Sequence, residues 1–218
     1  MTAGDPSSDP LWIAECLCAR LCHGLAGSLG ALMGSIELAR EDEAMAKEAI
    51  ALAAVAGEGL VARLKLLRAA WAGEGMPLDL AHLAALARGL SDRRVTLDLS
   101  ALPPSTVFDP ATGRVVLNLV LLGAEALPGG GTVWLGAAGP DLVLGIAGPR
   151  PAWPPGLAAA LAGETAIEGP RGLQAPLTIL LARHHGLRLS PLLPPSGSLD
   201  PAGSPLLLLQ LPAESRFA

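Results

Sequence analysis

Leu11-Trp-Ile-Ala-Glu-Cys16-Leu-Cys18-Ala-Arg20-Leu-Cys22-His23-Gly-Leu-Ala-Gly-Ser28-Leu-Gly30-Ala-Leu32 decides how the chain is read. Leu11, Cys18, Leu25 and Leu32 recur every seven residues, interleaved with Ala14, Leu21 and Ser28. This is one face of a long helix that runs to about Arg40. Ser7-Ser8-Asp9-Pro10 is its start signal, a capping residue followed by Pro at the first helical position. Glu41-Asp42-Glu43 marks a turn and the next N-terminus, where negative charge suits the helix dipole. A second helix to about Ala72 carries Ile50, Ala53, Gly57, Leu60, Leu64, Leu67 and Trp71 in steps of three and four. That spacing is a heptad seam. Two such helices joined by a short turn form an antiparallel hairpin. Because one hairpin cannot bury both stripes, the pattern predicts a dimeric four-helix bundle.

Ala72-Gly73-Glu74-Gly75-Met76-Pro77 reads as a hinge-like linker, dividing the chain into residues 1–73 and 74–218. The second part alternates helix and strand. A helix over Leu78–Leu90, a strand over Val95–Leu99 and a helix from Asp109-Pro110 to Leu127 come first. After the turn Pro128–Gly131 follow strands over Thr132–Ala137 and Leu142–Ala147, then helices over Pro154–Ala162 and Leu173–His185. Strands over Leu187–Leu192 and Leu206–Leu211 flank a Pro/Ser/Gly-rich loop at the end. The class is α+β, with a two-layer α/β sandwich behind the hairpin.

Composition narrows the functions. In 218 residues the hydrophobic share is 51% and the charged share 16%, so a core is assured. Aromatic residues are 3% with no Tyr, which leaves Leu, Ala and Val to build it. The net charge of −5 excludes nucleic acid as the main partner. Mean hydropathy is +0.47, but Arg20 and Glu37 bound the most apolar run, so no membrane span is expected. The acidic, polar N-terminus is unlike a signal peptide. Three Cys within seven residues of one helix are no disulfide framework, which points to the reducing cytoplasm.

On a helical wheel, Cys16, Ala19, Arg20, Ala26, Gly27, Gly30 and Gly34 fall within roughly 60° of His23. Leu21, Leu25, Leu32, Ala14 and Cys18 fall opposite, so His23 points away from the core. Gly24, Gly27, Gly30 and Gly34 together cost about 4 kcal/mol if additive. Close approach of a partner to the imidazole would offset that cost. The ring is a competent nucleophile toward phosphorus, and Arg20, one turn back, suits an incoming anion. The plainer alternative is a surface His with glycines that serve helix–helix packing.

Arg20-Leu-Cys-His23-Gly-Leu-Ala-Gly-Ser28 resembles the phosphoacceptor box of histidine kinases. More closely it resembles the ChpT-like histidine phosphotransferases of alphaproteobacteria, whose motif reads R-L-C-H-D-x-x-x-P. Val116-Leu-Asn118-Leu, Ala124–Gly131, Gly148-Pro-Arg150, Gly163-Glu164 and Gly169–Gly186 fall where that family has related segments. The resemblance implies a homodimer whose bundle carries the His, with an appended domain shaped like a kinase ATPase domain but degenerate. The kinase N-box has a second Asn where Leu122 stands. The adenine-binding Asp is missing near Gly148, where Ile146 and Ala147 stand. The G-L-G-L turn has become Gly172-Leu173-Gln174-Ala175-Pro176, and only about 20 residues remain for an ATP lid. An ATP-dependent kinase is thereby disfavoured. Two departures touch the active helix: Gly24 replaces the acidic neighbour of the His, and Ser28 replaces the kinking Pro.

The resemblance implies phosphoacceptor His23, Arg20 as a phosphate or partner contact, and a docking face of Ala19, Ala26, Gly27, Gly30 and Gly34. No cofactor would be bound by this chain, with Mg²⁺ supplied by the partner. The implied partners are receiver domains of a hybrid kinase and of response regulators such as a CtrA-like one. A non-catalytic dimeric adaptor is the rival. Other groups read as structural. Cys16 and Cys18 point about 200° apart, so the cysteines and His23 cannot converge on zinc, and buried small side chains are expected at Cys18 and Cys22. His184-His185 suits a helix C-terminus. His82 reads as surface, and Arg63 and Lys65 on the second helix as a solvated face, with a docking surface as the alternative. Pro128–Gly131 precedes a strand, unlike a phosphate loop.

Overall fold

The structure, a computed structural model, describes residues 9–72, 75–164, 167, 169–192 and 206–212, without the side chains of 91–93. Ser7 and Ser8, the linker residues Gly73 and Glu74, and the Pro/Ser/Gly-rich loop lie outside the described residues.

Helix α1 spans Pro10–Glu41 without a break at Ser28. The Asp9 carboxylate caps it by accepting from the Leu11 amide at 3.0 Å. The Asp42 carboxylate accepts from the Ala44 amide in the turn, and α2 follows over Ala46–Trp71, packed antiparallel on α1. By length and composition α1 is apolar enough to cross a membrane, contrary to expectation. It lies along α2, and Trp12, Cys16 and Arg20 contact the C-terminal part, so within this fold it is a hairpin helix.

After α2 come β1 (Leu78–Asp79), α3 (Leu80–Ala87) with a 3₁₀ continuation over Arg88–Arg93, β2 (Val95–Ala101) and β3 (Val107–Phe108). The expected helix over 78–90 is therefore shorter at both ends. Leu78–Asp79 pairs with Val107–Phe108, and Asp79 caps α3 by accepting from the His82 amide at 2.7 Å. Next are α4 (Pro110–Glu125), β4 (Gly131–Ala138), β5 (Asp141–Ala147), α5 (Gly156–Ala162), a 3₁₀ turn at Pro170–Gly172, α6 (Gln174–His184), β6 (Arg188–Leu192) and β7 (Leu206–Gln210). The main sheet has the order β2-β4-β5-β7-β6, with β2 parallel to β4 and the other neighbours antiparallel.

Helix α4 is the keystone. Twelve of its sixteen residues are buried, because it lies between the sheet, α2 and α6. At Gly123 a Cβ would come within 2.9 Å of Val133, so the glycine sets how closely helix meets sheet. The main core continues from α4 into Leu66, Leu67 and Ala70 of α2. A smaller cluster of Cys16, Ile167, Leu173 and Leu177 joins α1 to α6. Only one end of the hairpin is covered this way. Farther along, Leu29, Met33, Ile36, Ile50, Leu52, Val55, Val61 and Leu64 are exposed.

The expected seams need correction there. Ile50 and Leu64, placed in the α2 seam, are exposed, whereas Ala49, Leu66 and Ala70 are buried. On α1, Ala14 and Cys18 are exposed, and Leu21, Leu25 and Leu32 are half-buried. The wheel assumed one core along the whole length, while each helix meets different neighbours at its two ends. Arg63, read as surface, is 7% exposed and donates to the Gly89 carbonyl at 3.2 Å. The 3₁₀ turn sits so close to α2 that a Cβ at Gly89 would be 2.7 Å from the Ala62 carbonyl oxygen.

Candidate functional site

His23 is exposed near the middle of α1, at the point where the hairpin leaves the C-terminal part. It opens onto a cleft of about 960 Å³ between the two. Ala19, Arg20 and Gly24 line it from α1, Arg63, Leu67 and Trp71 from α2, and Glu125, Trp153, Pro170 and Arg171 from the far side. Three arginines against one glutamate give this cleft a cationic lining in a chain of net charge −5. Such a lining favours an anion beside the imidazole.

Ala19, Ala26, Gly27, Gly30 and Gly34 are all exposed, as the wheel required. A Cβ built at Gly24, Gly27, Gly30 or Gly34 would meet nothing within 4 Å. Among the described residues, these glycines therefore serve no helix–helix packing within one chain. Their conformational cost, about 1 kcal/mol each, has no return inside one chain.

Arg20 lies one turn before His23, with partners of its own. Its guanidinium forms an ion pair with Glu125, the two side chains being 14% and 15% exposed. It donates to the Pro170 carbonyl at 2.8 Å and stands 6.0 Å from the centre of the Trp71 ring. This one side chain ties α1 to α2, to the end of α4 and to the 3₁₀ turn. Glu125 was not singled out from the sequence. The signal was an acid at the C-terminal end of an apolar helix, where the dipole opposes it.

The cysteines reverse the expectation. Cys16 is buried and Cys18 and Cys22 are exposed, because the first turns of the His23 face are covered by Ile167, Leu173 and Leu177. Burial first, then the Glu15 carboxylate, push the Cys16 thiol up, so it stays protonated and inert. Among the described residues no three of His, Cys, Asp and Glu are grouped to hold a metal. His82 is exposed and pairs with Asp79 at 2.8 Å. His184 is exposed, and His185 is half-buried with Nε2 unpartnered among the described residues.

The positions compared above with the kinase N-box are filled by packing. The Asn118 amide donates to the Ala70 and Arg114 carbonyls, both at 2.9 Å, and its Oδ1 accepts from Gln174 at 3.0 Å. The Thr178 hydroxyl donates to the Gln174 carbonyl at 2.7 Å. Asn118, Gln174 and Thr178 are all fully buried, and so is Leu122 one turn on. The amide is committed to holding α4, α2 and α6 together.

Fold and site together define an α+β chain with a histidine exposed on a long helical hairpin, beside a cleft. Residues 80–193 match the profile of the family described as the histidine phosphotransferase C-terminal domain. The chain belongs to that family. Over 93% of this chain and 97% of the other, the fold is that of a solved bacterial phosphotransferase, with 22% identity and a TM-score of 0.74. No curated protein matches the sequence. His23 lies outside the matched residues, so its place rests on the geometry above.

Proposed function

We propose that this chain is a ChpT-like phosphorelay carrier that passes a phosphoryl group between receiver-domain aspartates through His23. The observation that carries the reading is the exposed imidazole at the mouth of an arginine-lined cleft, on a helix face whose glycines pack against nothing among the described residues. A receiver docks on that face with its phosphoaspartate at His23. A lone pair of the neutral ring attacks phosphorus, the P–N bond forms, and the P–O bond breaks with its electrons leaving on the aspartate. A second receiver reverses the exchange, and the electron pair returns to the ring. Mg²⁺ comes with the receiver's acidic pocket. The donor is a hybrid kinase and the acceptor a response regulator of the CtrA-like kind; neither nucleic acid nor membrane takes part. The site of action is cytoplasmic.

A second copy of the chain covers the exposed apolar face of the hairpin, completing a four-helix bundle. What supports this is the outward exposure of Leu29, Met33 and Ile36 on α1 and of Ile50, Val61 and Leu64 along one face of α2. The kinase-like domain serves as scaffold without ATP. Leu122 at the second N-box position and the commitment of Asn118 to Ala70 and Gln174 support that.

Incubation with a phosphorylated receiver and Mg²⁺ tests the reading. Label is expected on His23 and none on a His23→Ala protein. Absence of label with every cognate receiver would sink it. Gly24 and Ser28 favour a second reading, a dimeric adaptor that binds receivers without transfer. Complementation of a deletion strain by His23→Ala would select it.

A further inference from the structure

We propose that Glu125 competes with the phosphoryl group for Arg20 and thereby keeps phosphorylated His23 unstable enough to pass its group on. The inference rests on His23 as the phosphoacceptor and adds a residue that controls its poise. Glu125 is the last residue of α4, at the end where the helix dipole disfavours a carboxylate. It is nevertheless mostly shielded and lines the cleft, held by Arg20. Arg20 precedes His23 by three residues on the same helix face, so the two side chains are neighbours, about 5–6 Å apart at Cβ. Both line the cleft that Glu125 faces.

Phosphorylation of the ring brings up to about two negative charges into this cleft. The guanidinium then has two anions to serve, with one edge already donating to Pro170. If Arg20 turns to the phosphoryl group, Glu125 loses its cation and faces a like charge. If Arg20 stays, the phosphoryl group goes without it. Either way the carboxylate raises the free energy of the loaded state relative to the empty one. A relay carrier needs this, since an over-stabilised phosphohistidine is a trap. Glu125 is a positioning residue acting through Arg20, and it touches no reacting atom.

The test loads His23 chemically with phosphoramidate, which needs no receiver, and follows the His23 peptide by mass spectrometry. In this exchange the ring nitrogen attacks the donor phosphorus, the P–N bond of the donor breaks, and ammonia leaves. Glu125→Gln keeps shape and hydrogen bonding but removes the charge. Phospho-His23 in this variant is expected to decay on the order of three- to tenfold more slowly than in the original protein. Its transfer equilibrium with a receiver is expected to move toward phosphohistidine by a similar factor. Glu125→Asp is expected to restore the original lifetime, which a purely packing role would not predict. Equal lifetimes in the original protein and Glu125→Gln would overturn the proposal. A second measurement needs no variant: whether Arg20 turns or stays, a phosphoryl dianion in the same cleft shifts its side-chain NMR resonance, and an unmoved resonance puts the phosphoryl group beyond the reach of the Arg20–Glu125 pair and overturns the proposal too. Loaded His23 that no receiver will discharge would instead refute the relay reading, leaving the lifetime comparison intact.

Discussion

Helices α1 and α4 begin alike and end up in opposite surroundings. Each is opened by an Asp-Pro pair, Asp9-Pro10 and Asp109-Pro110, and each is rich in aliphatic residues, Leu and Ala in α1 and Leu and Val in α4. Yet α4 has twelve buried residues among its sixteen, and α1 has one, Cys16, among thirty-two. The difference lies in position. Helix α4 has a sheet on one side and α2 and α6 on the other, whereas among the described residues α1 packs chiefly on α2. Apolar side chains on α4 therefore hold this chain together, and those on outer α1 are available to something else. A helix that stores little of the fold's stability is free to present exposed groups such as His23.

Four perturbations break or sharpen that contrast, beginning with the largest. Leu119→Ala on α4 is expected to cost about 2–5 kcal/mol in denaturant unfolding, while Leu29→Ala on α1 stays within about 0.5 kcal/mol for the single chain. Equal costs would erase the distinction. Asn118→Ala strips three partners from a buried amide and is expected to cost about 1–3 kcal/mol, read from the same unfolding curves. The matched caps give a finer comparison. Asp109→Ala should lose about 1 kcal/mol. It accepts from the Ala111 and Thr112 amides and from the Thr112 hydroxyl, whereas among the described residues Asp9 accepts from the Leu11 amide. Asp9→Ala is therefore expected to shift the melting temperature less than Asp109→Ala.

The smallest effect is one of pH. Desolvation first, then His184 and Arg114, hold the His185 ring below the usual histidine value, with Asp109 pulling the other way. Because its folded pKa is depressed, the unfolded chain binds the proton first. Stability from this ring is present above about pH 6.5 and is lost as pH falls below it toward the folded pKa. His185→Gln is expected to flatten the fall in melting temperature between pH 7.5 and 5.5. An unchanged slope would assign the pH response elsewhere.

Much of the fold was legible because its punctuation is local. Asp-Pro pairs, the glycine turn after Pro128 and the alternation along Val95–Leu99 each state their structure within a few residues. The short pair of Leu78–Asp79 with Val107–Phe108 was not, since two-residue strands have no period. At the site, the wheel gave the outward direction of His23 and its small neighbours. It missed the burial of Cys16 and Arg63, because a wheel averages over a helix whose neighbours change along its length.

The sequence by itself determined the hairpin, the α+β class and an imidazole on a glycine-lined face, because periodicity and turn chemistry act over a few residues. Only the tertiary structure decided that Arg20 answers to Glu125, that Cys16 is covered while Cys18 is not, and that His23 stands at a cleft. Those facts join residues more than a hundred positions apart, and their pairing follows from how a sheet, α4 and one end of the hairpin share a single core.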